Sequence, residues 1–181
     1  MKYFLFIAIW FQSGYALSGI NWAIQPEGNS VEFTAIGKPG FLEINGTGAV
    51  ASGTIVEEVG KVSGTIEVLL SPLKTGLELR DKHMKEKYLD VAKFPKAVFV
   101  LDPVLPLGTG FAFTGKLTVK ADTVAVSGKA KINTIRPNEQ EVTAEFSIPV
   151  FELKSVGVPS YMGITVADKI TVKIKFKAVS K

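Results

Sequence analysis

The chain has 181 residues, enough for one domain with a sizeable core, and it contains no cysteine. The absence of cysteine excludes a disulfide framework, a zinc–thiolate site and cysteine catalysis. The formal net charge is +4 at pH 7, and the lysines are spread along the chain instead of clustered, so the composition does not support nucleic-acid binding.

The N-terminus has the pattern of a targeting segment. A lysine precedes an apolar run at residues 4–11 that is too short to span a bilayer, and a small-x-small cleavage signal follows it. We therefore expect a signal peptide over residues 1–16, cut near Ala16 with Ser18 as the alternative, and a single domain over residues 17–181. The alternatives are a buried strand or an uncleaved N-terminal anchor. Cleavage would make the protein periplasmic or secreted, without stable membrane insertion.

Alternation of apolar and polar residues predicts β-strands through most of the chain. Glycines inside the second strand region indicate bulges or bends. In the first part of the chain we expect a short apolar-alternating piece at residues 20–24 and strands at residues 31–35, 41–56 and 62–70. Turns or breaks separate them at residues 26–29, 37–40 and 57–60.

One helix is predicted, over about residues 76–90. Thr75 is the expected N-cap, and Glu78 three residues later would complete a capping box. Pro95 ends the helical region. One face of this helix is apolar and is expected to pack on the rest of the domain; it carries Leu77, Met84, Tyr88 and Val91.

Five further strands are predicted after the helix. Most are joined by short turns, so neighbouring strands should be antiparallel. A longer loop at residues 156–168 carries Tyr161 and Met162, which are expected to be exposed. The predicted strands lie at residues 97–101, 113–119, 124–132, 142–150 and 170–178.

The polarity of the strands selects the fold class. One face is apolar throughout, and the other carries lysine, threonine, serine and glutamate, which lipid could not accept. The apolar face must therefore point inwards. Long strands in up-and-down order favour a closed barrel over a β-sandwich, because closure removes the sheet edges. We predict an all-β fold, an eight-stranded antiparallel barrel with the helix beside its mouth.

The inward positions combine large and small side chains. Small residues at positions such as Gly115, Gly128 and Ala144 would leave volume for an elongated apolar cavity. The same pattern fits a packed core in which small residues lie opposite large ones, and the sequence leaves both open. The large inward residues are Phe33, Phe99, Phe113, Phe146 and Phe176.

Several short motifs surround the predicted helix and continue into the strands after it. They lie at residues 71–76, 80–84, 90–91, 94–95 with Phe99 nearby, and 113–119. In order and spacing, over most of the mature chain, these runs resemble the YceI-like family of exported, lipocalin-like, polyisoprenoid-binding barrels. Three positions depart from the family pattern: Tyr88-Leu89 replaces a common Phe-Phe pair, Met84 replaces leucine, and residues 36–39 lack a histidine.

The resemblance implies a binding protein that holds the isoprenoid chain of a lipid, polyprenyl or quinone-like, in an apolar cavity, with no other cofactor. Arg80, His83, Lys38 and Tyr161 are candidates for contact with a polar head group. A homodimer is left open. The residues expected to contact the ligand are Phe33, Leu70, Arg80, His83, Met84, Phe99, Phe113, Leu117, Phe146 and Phe176.

Other functions receive less support from the residues. Arg80, Asp81 and His83 could form a catalytic cluster, but a structural role in tying the helix to the barrel is favoured. A single histidine cannot build a multi-histidine metal site, and there is no G-x-S-x-G elbow. We therefore expect no enzymatic activity and no metal. The remaining alternative is a structural or protein-interaction barrel with a filled core.

Overall fold

The computed structural model describes residues 19–39, 42–161 and 163–180, so the predicted signal peptide lies outside the described residues. Strands dominate this part of the chain, and the long ones alternate buried apolar with exposed polar side chains. The strands are β1 (Ile20–Lys38), β2 (Leu42–Glu58), β3 (Lys61–Leu69), β4 (Lys96–Val104), β5 (Gly110–Val119), β6 (Asp122–Arg136), β7 (Glu139–Pro149), β8 (Ser160–Tyr161) and β9 (Ile164–Ser180).

The eight long strands form a closed barrel. Each pairs antiparallel with its neighbours, and β9 pairs with both β7 and β1, which closes the circuit. The two-residue β8 pairs with the beginning of β9 outside this circuit. The predicted eight-stranded antiparallel barrel is therefore confirmed, and it follows from the apolar face of every strand being turned inwards.

The two ends of the barrel differ. At the upper end β1 connects to β2, β3 to β4 through residues 70–95, β5 to β6 through residues 120–121, and β7 to β9 through a connection that begins at Val150. The lower end carries only short connections, at residues 59–60, 105–109 and 137–138, together with the start of β1 near Ile20 and the end of β9 near Ser180. All of the helical structure in the described residues therefore lies at the upper end.

The lower half of the barrel is packed. Trp22, Ile24 and Phe176 are each at most 5% exposed, and they belong to a single apolar cluster that continues upwards through the barrel. Phe176 lies opposite Val142, and Ile24 lies opposite Ala178, in the strand register. These residues plug the lower end of the barrel.

The helix is shorter than predicted. It consists of α1 (Glu78–His83) and a π-helical turn over Met84–Tyr88. Leu77 precedes α1 without a side-chain cap, so the prediction that Thr75 is the N-cap is wrong. The reason is that Gly76 turns the chain with φ +82°, and the Thr75 hydroxyl is already bonded to Asp81. No helix in the described part of the chain is long and apolar enough to cross a membrane.

Two segments that the sequence predicts to be turn or loop overlap strands in the structure. Residues 26–29 are a bulge in β1, where the Asn29 side-chain amide donates to the carbonyls of Gln25 (3.0 Å) and Ala51 (2.7 Å). These bonds replace part of the interrupted ladder, so the strand continues. The predicted loop at 156–168 is also shorter, because β9 begins at Ile164 and pairs with the end of β1.

Candidate functional site: an apolar cavity at the upper end of the barrel

A cavity of about 290 Å³ opens at the upper end of the barrel. Its wall is formed by the upper parts of the strands, by the helical segment and by the connection at 150–163. The wall is almost entirely apolar, with aliphatic side chains such as Ile44, Ile148, Val166 and Ile170. This volume is at the lower end of the range that holds small ligands in proteins.

Three phenylalanines form the floor of the cavity, which we call the aromatic floor: Phe99, Phe113 and Phe146. The rings of Phe99 and Phe146 are stacked with centroids 6.1 Å apart, and Phe113 meets both edge-on at 5.8 and 6.2 Å. Phe146 also belongs to the cavity wall. The floor therefore lies between the open upper half and the packed lower half of the barrel.

The inward glycines do not create the cavity. The rings of Phe33, Phe99 and Phe113 lie against Gly46, Gly115 and Gly128, so close that a Cβ on any of these glycines would overlap the ring. Of the two alternatives that the sequence leaves open, the packed one therefore applies at Gly115 and Gly128, because aromatic rings from neighbouring strands fill the space above them. The open volume lies higher, where the helical segment and the 150–163 connection span the barrel.

Polar contacts join the two segments that cover the cavity. The Tyr88 hydroxyl donates to the Ser160 carbonyl (2.9 Å) and accepts from the Ser160 N–H (3.0 Å). Lys120, in the β5–β6 turn, donates to the carbonyls of Tyr88 (3.1 Å) and Ser155 (2.7 Å). Asp122 accepts from the Ser155 N–H (2.6 Å) and hydroxyl. The π-helical turn and the connection are thus held together, and both are held to the barrel.

Ser155 also lowers the pKa of Asp122. Hydrogen bonds from the Ser155 hydroxyl and N–H, with smaller contributions from Lys154 and Lys120, hold the pKa of Asp122 below its ordinary value. The carboxylate form that accepts these bonds is therefore the stable form at neutral pH.

Thr75, Arg80 and Asp81 form a polar cluster beside the mouth. Asp81 accepts from the Thr75 N–H (2.6 Å) and hydroxyl, while Arg80 donates to the Thr75 hydroxyl (2.7 Å) and carbonyl (2.9 Å). Burial acts to raise the pKa of Asp81, but the two Thr75 bonds, with Lys85 and Arg80 nearby, lower it below its ordinary value. The cluster fixes the chain at the start of α1, because Arg80 and Asp81 both bond Thr75.

Nowhere in the described part of the chain do three or more His, Cys, Asp or Glu side chains gather closely enough to hold a metal ion.

The structure brings most of the predicted ligand-contact residues to the cavity. Phe99 and Phe113 lie in the aromatic floor below it, and Phe176 lies in the packed lower half. Contact of any of the predicted residues with a ligand, whether in the wall or below it, stays a prediction. The predicted residues in the cavity wall are Phe33, Leu70, Arg80, His83, Met84, Leu117 and Phe146.

Of the remaining head-group candidates, Lys38 is exposed and pairs with Asp168 at 3.7 Å, and the Tyr161 side chain lies outside the described residues. The predicted set of ligand-contact residues does not include Ala35, Leu153, Val156 and Pro159, which also line the wall. Alternation along β1 turns Ala35 inwards. The other three lie in an irregular connection, where no periodic signal exists.

Removal of the Tyr88 hydroxyl tests whether its bonds to Ser160 hold together the two segments that cover the cavity, which we call the cover. We expect Tyr88→Phe to increase hydrogen exchange of the amides at residues 150–161 by about fivefold, since a net hydrogen bond contributes about 1 kcal/mol. The melting temperature should fall by only a few degrees, roughly 2–4 °C. Exchange detected by mass spectrometry measures both the size and the place of the effect.

Thr114→Val is the control for this prediction. The Thr114 hydroxyl donates to Asp102 (2.9 Å) on an exposed part of the barrel wall, away from the cover. This variant should leave exchange at residues 150–161 unchanged. Equal exchange in the Tyr88→Phe variant and the native protein would show that the hydroxyl does not hold the cover.

Comparison with known proteins gives one sequence-level match. The family model described as the YceI-like domain matches residues 22–178, which is most of the chain. No curated protein matches the sequence.

Solved structures share the fold at low sequence identity. Burkholderia cenocepacia BcnA has a TM-score of 0.70 at 18% identity, over 86% of this chain and 99% of that chain. A polyisoprenoid-binding domain from Saccharophagus degradans, implicated in plant cell wall breakdown, has a TM-score of 0.67 at 12% identity, over 88% and 98%. A Campylobacter jejuni YCEI protein has a TM-score of 0.59 at 16% identity, over 72% and 81%. At these identities the similarity establishes the fold alone.

Proposed function

Because this chain belongs to the YceI-like domain family, we propose that it is a non-enzymatic binding protein that holds the isoprenoid chain of a polyprenyl or quinone-like lipid. The lipid chain would occupy the apolar cavity at the upper end of the barrel. The Saccharophagus degradans domain of the same fold is a polyisoprenoid-binding domain, which supports this class of ligand.

The observation that carries the proposal is the apolar wall above the aromatic floor. An isoprenoid chain has no polar group to satisfy, so an almost entirely apolar wall suits it. Its binding would come from removal of apolar surface from water, at about 25 cal/mol per Å². The branched, unsaturated carbons of the chain would rest on Phe146, the part of the floor that the cavity reaches.

The polar head group of the lipid would remain at the mouth. Arg80 and His83 are polar residues of the wall that come from α1. The Arg80 Nε and one terminal nitrogen bond Thr75, which orients the guanidinium at the mouth and leaves further donors on it. A phosphate or a quinone oxygen would accept from such donors.

We place the protein in the periplasm or outside the cell, after cleavage of the signal peptide over residues 1–16. The apolar run at residues 4–11 and the cleavage signal after it support this location. Apart from the bound lipid we propose no cofactor. The alternative function is that of a structural barrel with a filled core. It fits the packed lower half of the barrel but does not explain the cavity in the upper half.

The test is mass spectrometry of an organic extract from protein purified without detergent from its own host. We expect an isoprenoid lipid at close to one molecule per chain. An extract without lipid, combined with no thermal shift when polyprenyl or quinone lipids are added, would contradict the proposal. The same spectrometer, used on the intact protein, checks whether residues 1–16 have been removed.

A further inference from the structure

Exposed apolar side chains surround the mouth of the cavity. Each of them is between 37% and 60% exposed. Each either lines the cavity or lies within two residues of a wall residue. This set, which we call the mouth rim, consists of Leu42, Leu77, Leu79, Phe151 and Val158. Large apolar side chains are also exposed at the lower end, so it is the charge around the mouth that distinguishes the two ends. The exposed apolar residues at the lower end are Ile20, Val59, Leu105, Leu107 and Ile135.

The upper end is also the basic end among the connections between strands. Its connections carry eight lysine or arginine and five aspartate or glutamate residues, a net charge of +3. The lower-end connections carry no charged residue. Lys74, Lys82 and Lys154 are exposed beside the mouth rim, and no ion pair of these three is found among the described residues.

The first described residue of the chain lies at the opposite end of the barrel from the mouth. Gly19, the first described residue, lies against Glu58 at the lower end of β2. An uncleaved anchor over the preceding residues would therefore hold the lower end at a membrane and turn the mouth away from it. Cleavage would free the upper end to approach a membrane.

From these observations we propose that the mouth rim docks the upper end of the barrel, reversibly, on an anionic lipid bilayer. The leucines and Phe151 would enter the apolar boundary of the bilayer, and the surrounding lysines would contact anionic head groups. We choose a lipid surface as the partner because the upper end combines exposed apolar side chains with exposed lysines. The apolar side chains match the apolar boundary of a bilayer, and the lysines match its anionic head groups. This inference rests on the proposed function, since docking would place the cavity mouth where an isoprenoid lipid can pass between bilayer and barrel.

Two matched pairs of leucines test the docking surface. Leu77 and Leu79 are 59% and 52% exposed in the mouth rim, and Leu105 and Leu107 are 51% and 71% exposed at the lower end. Each pair is replaced by glutamine in protein purified from the host. Exposed substitutions of this kind change stability little, so both variants should fold.

The measurement is flotation with vesicles of phosphatidylglycerol and phosphatidylethanolamine, with phosphatidylcholine vesicles for comparison. We expect the native protein to float with the anionic vesicles, less so in high salt. The Leu77/Leu79 variant should bind about tenfold more weakly, and the Leu105/Leu107 variant should bind like the native protein. Absence of flotation, or a loss of binding confined to the Leu105/Leu107 variant, would overturn the proposal and leave the rim to a protein partner.

Extraction of lipid from the same preparations separates this inference from the proposed function. Lipid in the extract without vesicle binding would reject docking and keep the binding function. Vesicle binding with an empty extract would keep the docking surface and reject the cavity ligand.

Discussion

Ala35→Phe is expected to displace the bound lipid and leave the barrel folded. Ala35 is 2% exposed and lies in the cavity wall, between Ile44 on β2 and Ile170 on β9 in the strand register. A phenylalanine at this position would direct its ring into a cavity of about 290 Å³. The ring would exclude about four methylene-sized groups of ligand, at about 0.8 kcal/mol each, so affinity should fall by roughly two orders of magnitude.

Lipid content by mass spectrometry and melting temperature, each measured on protein purified from the host, check this expectation. The control is Ala125→Phe, which makes the same chemical change at an exposed position of β6 and should retain the lipid. If Ala35→Phe folds and still carries the native amount of lipid, the lipid does not occupy this cavity.

Gly128→Ala should cause a large loss of stability, because Gly128 lies directly against two residues of the aromatic floor, Phe113 and Phe146. A Cβ at this position would lie 2.3 Å from the Glu145 carbonyl oxygen, 2.7 Å from the Phe113 ring and 2.8 Å from the Phe146 Cβ. The backbone oxygen belongs to the β6–β7 ladder and cannot move without breaking strand pairing. We expect a loss of about 3 kcal/mol in the free energy of unfolding, near the upper end of overpacking costs.

For a chain of this size that loss corresponds to a fall of roughly 6–12 °C in melting temperature. Delipidated protein is used, because bound ligand would raise the stability of both forms. Gly110→Ala is the control: it lies on the neighbouring strand β5, and the nearest atoms to its added Cβ are 3.8 Å away. A cost below 1 kcal/mol at Gly128 would mean that the floor rearranges easily and is not a fixed base for the cavity.

The barrel itself could be predicted from the sequence because its cause is local. Strands with one apolar face and one charged face must turn the apolar face inwards, and short turns make them antiparallel neighbours. Both features are visible in the alternation along segments such as β5, β6 and β9. The family resemblance found in the motifs around Arg80 and Phe113 is confirmed by the family model over residues 22–178.

The candidate site could be predicted only in outline. Motifs placed Arg80, His83 and Met84 near the mouth, and alternation turned Phe33 and Phe146 inwards, and all five lie in the cavity wall. Periodicity could not separate these residues from Phe176, which alternates in the same way and lies in the packed lower half. Alternation reports which face a side chain takes, and it carries no information about height along the barrel axis.

Hydrogen bonding decided the local structures that sequence rules misplaced. Thr75 and Glu78 have the spacing of a capping box, yet Thr75 bonds Asp81 and Arg80 instead. The turn signal at residues 26–29 is real, but pairing with β2 and β9 on either side keeps β1 continuous. In both places hydrogen bonds to residues outside the local sequence motif determined the local structure.

By itself, the sequence determined the fold class, the inward face of each strand and the family, because these depend on periodicity and on short motifs. Only the tertiary structure decided where the interior is open. The rings of Phe99 and Phe113 fill the space above Gly115 and Gly128. Above the upper half, Tyr88, Lys120 and Asp122 hold in place the π-helical turn and the connection that follows β7. Volume inside a barrel depends on which side chains meet across strands that are far apart in sequence, and that meeting is set by register and closure.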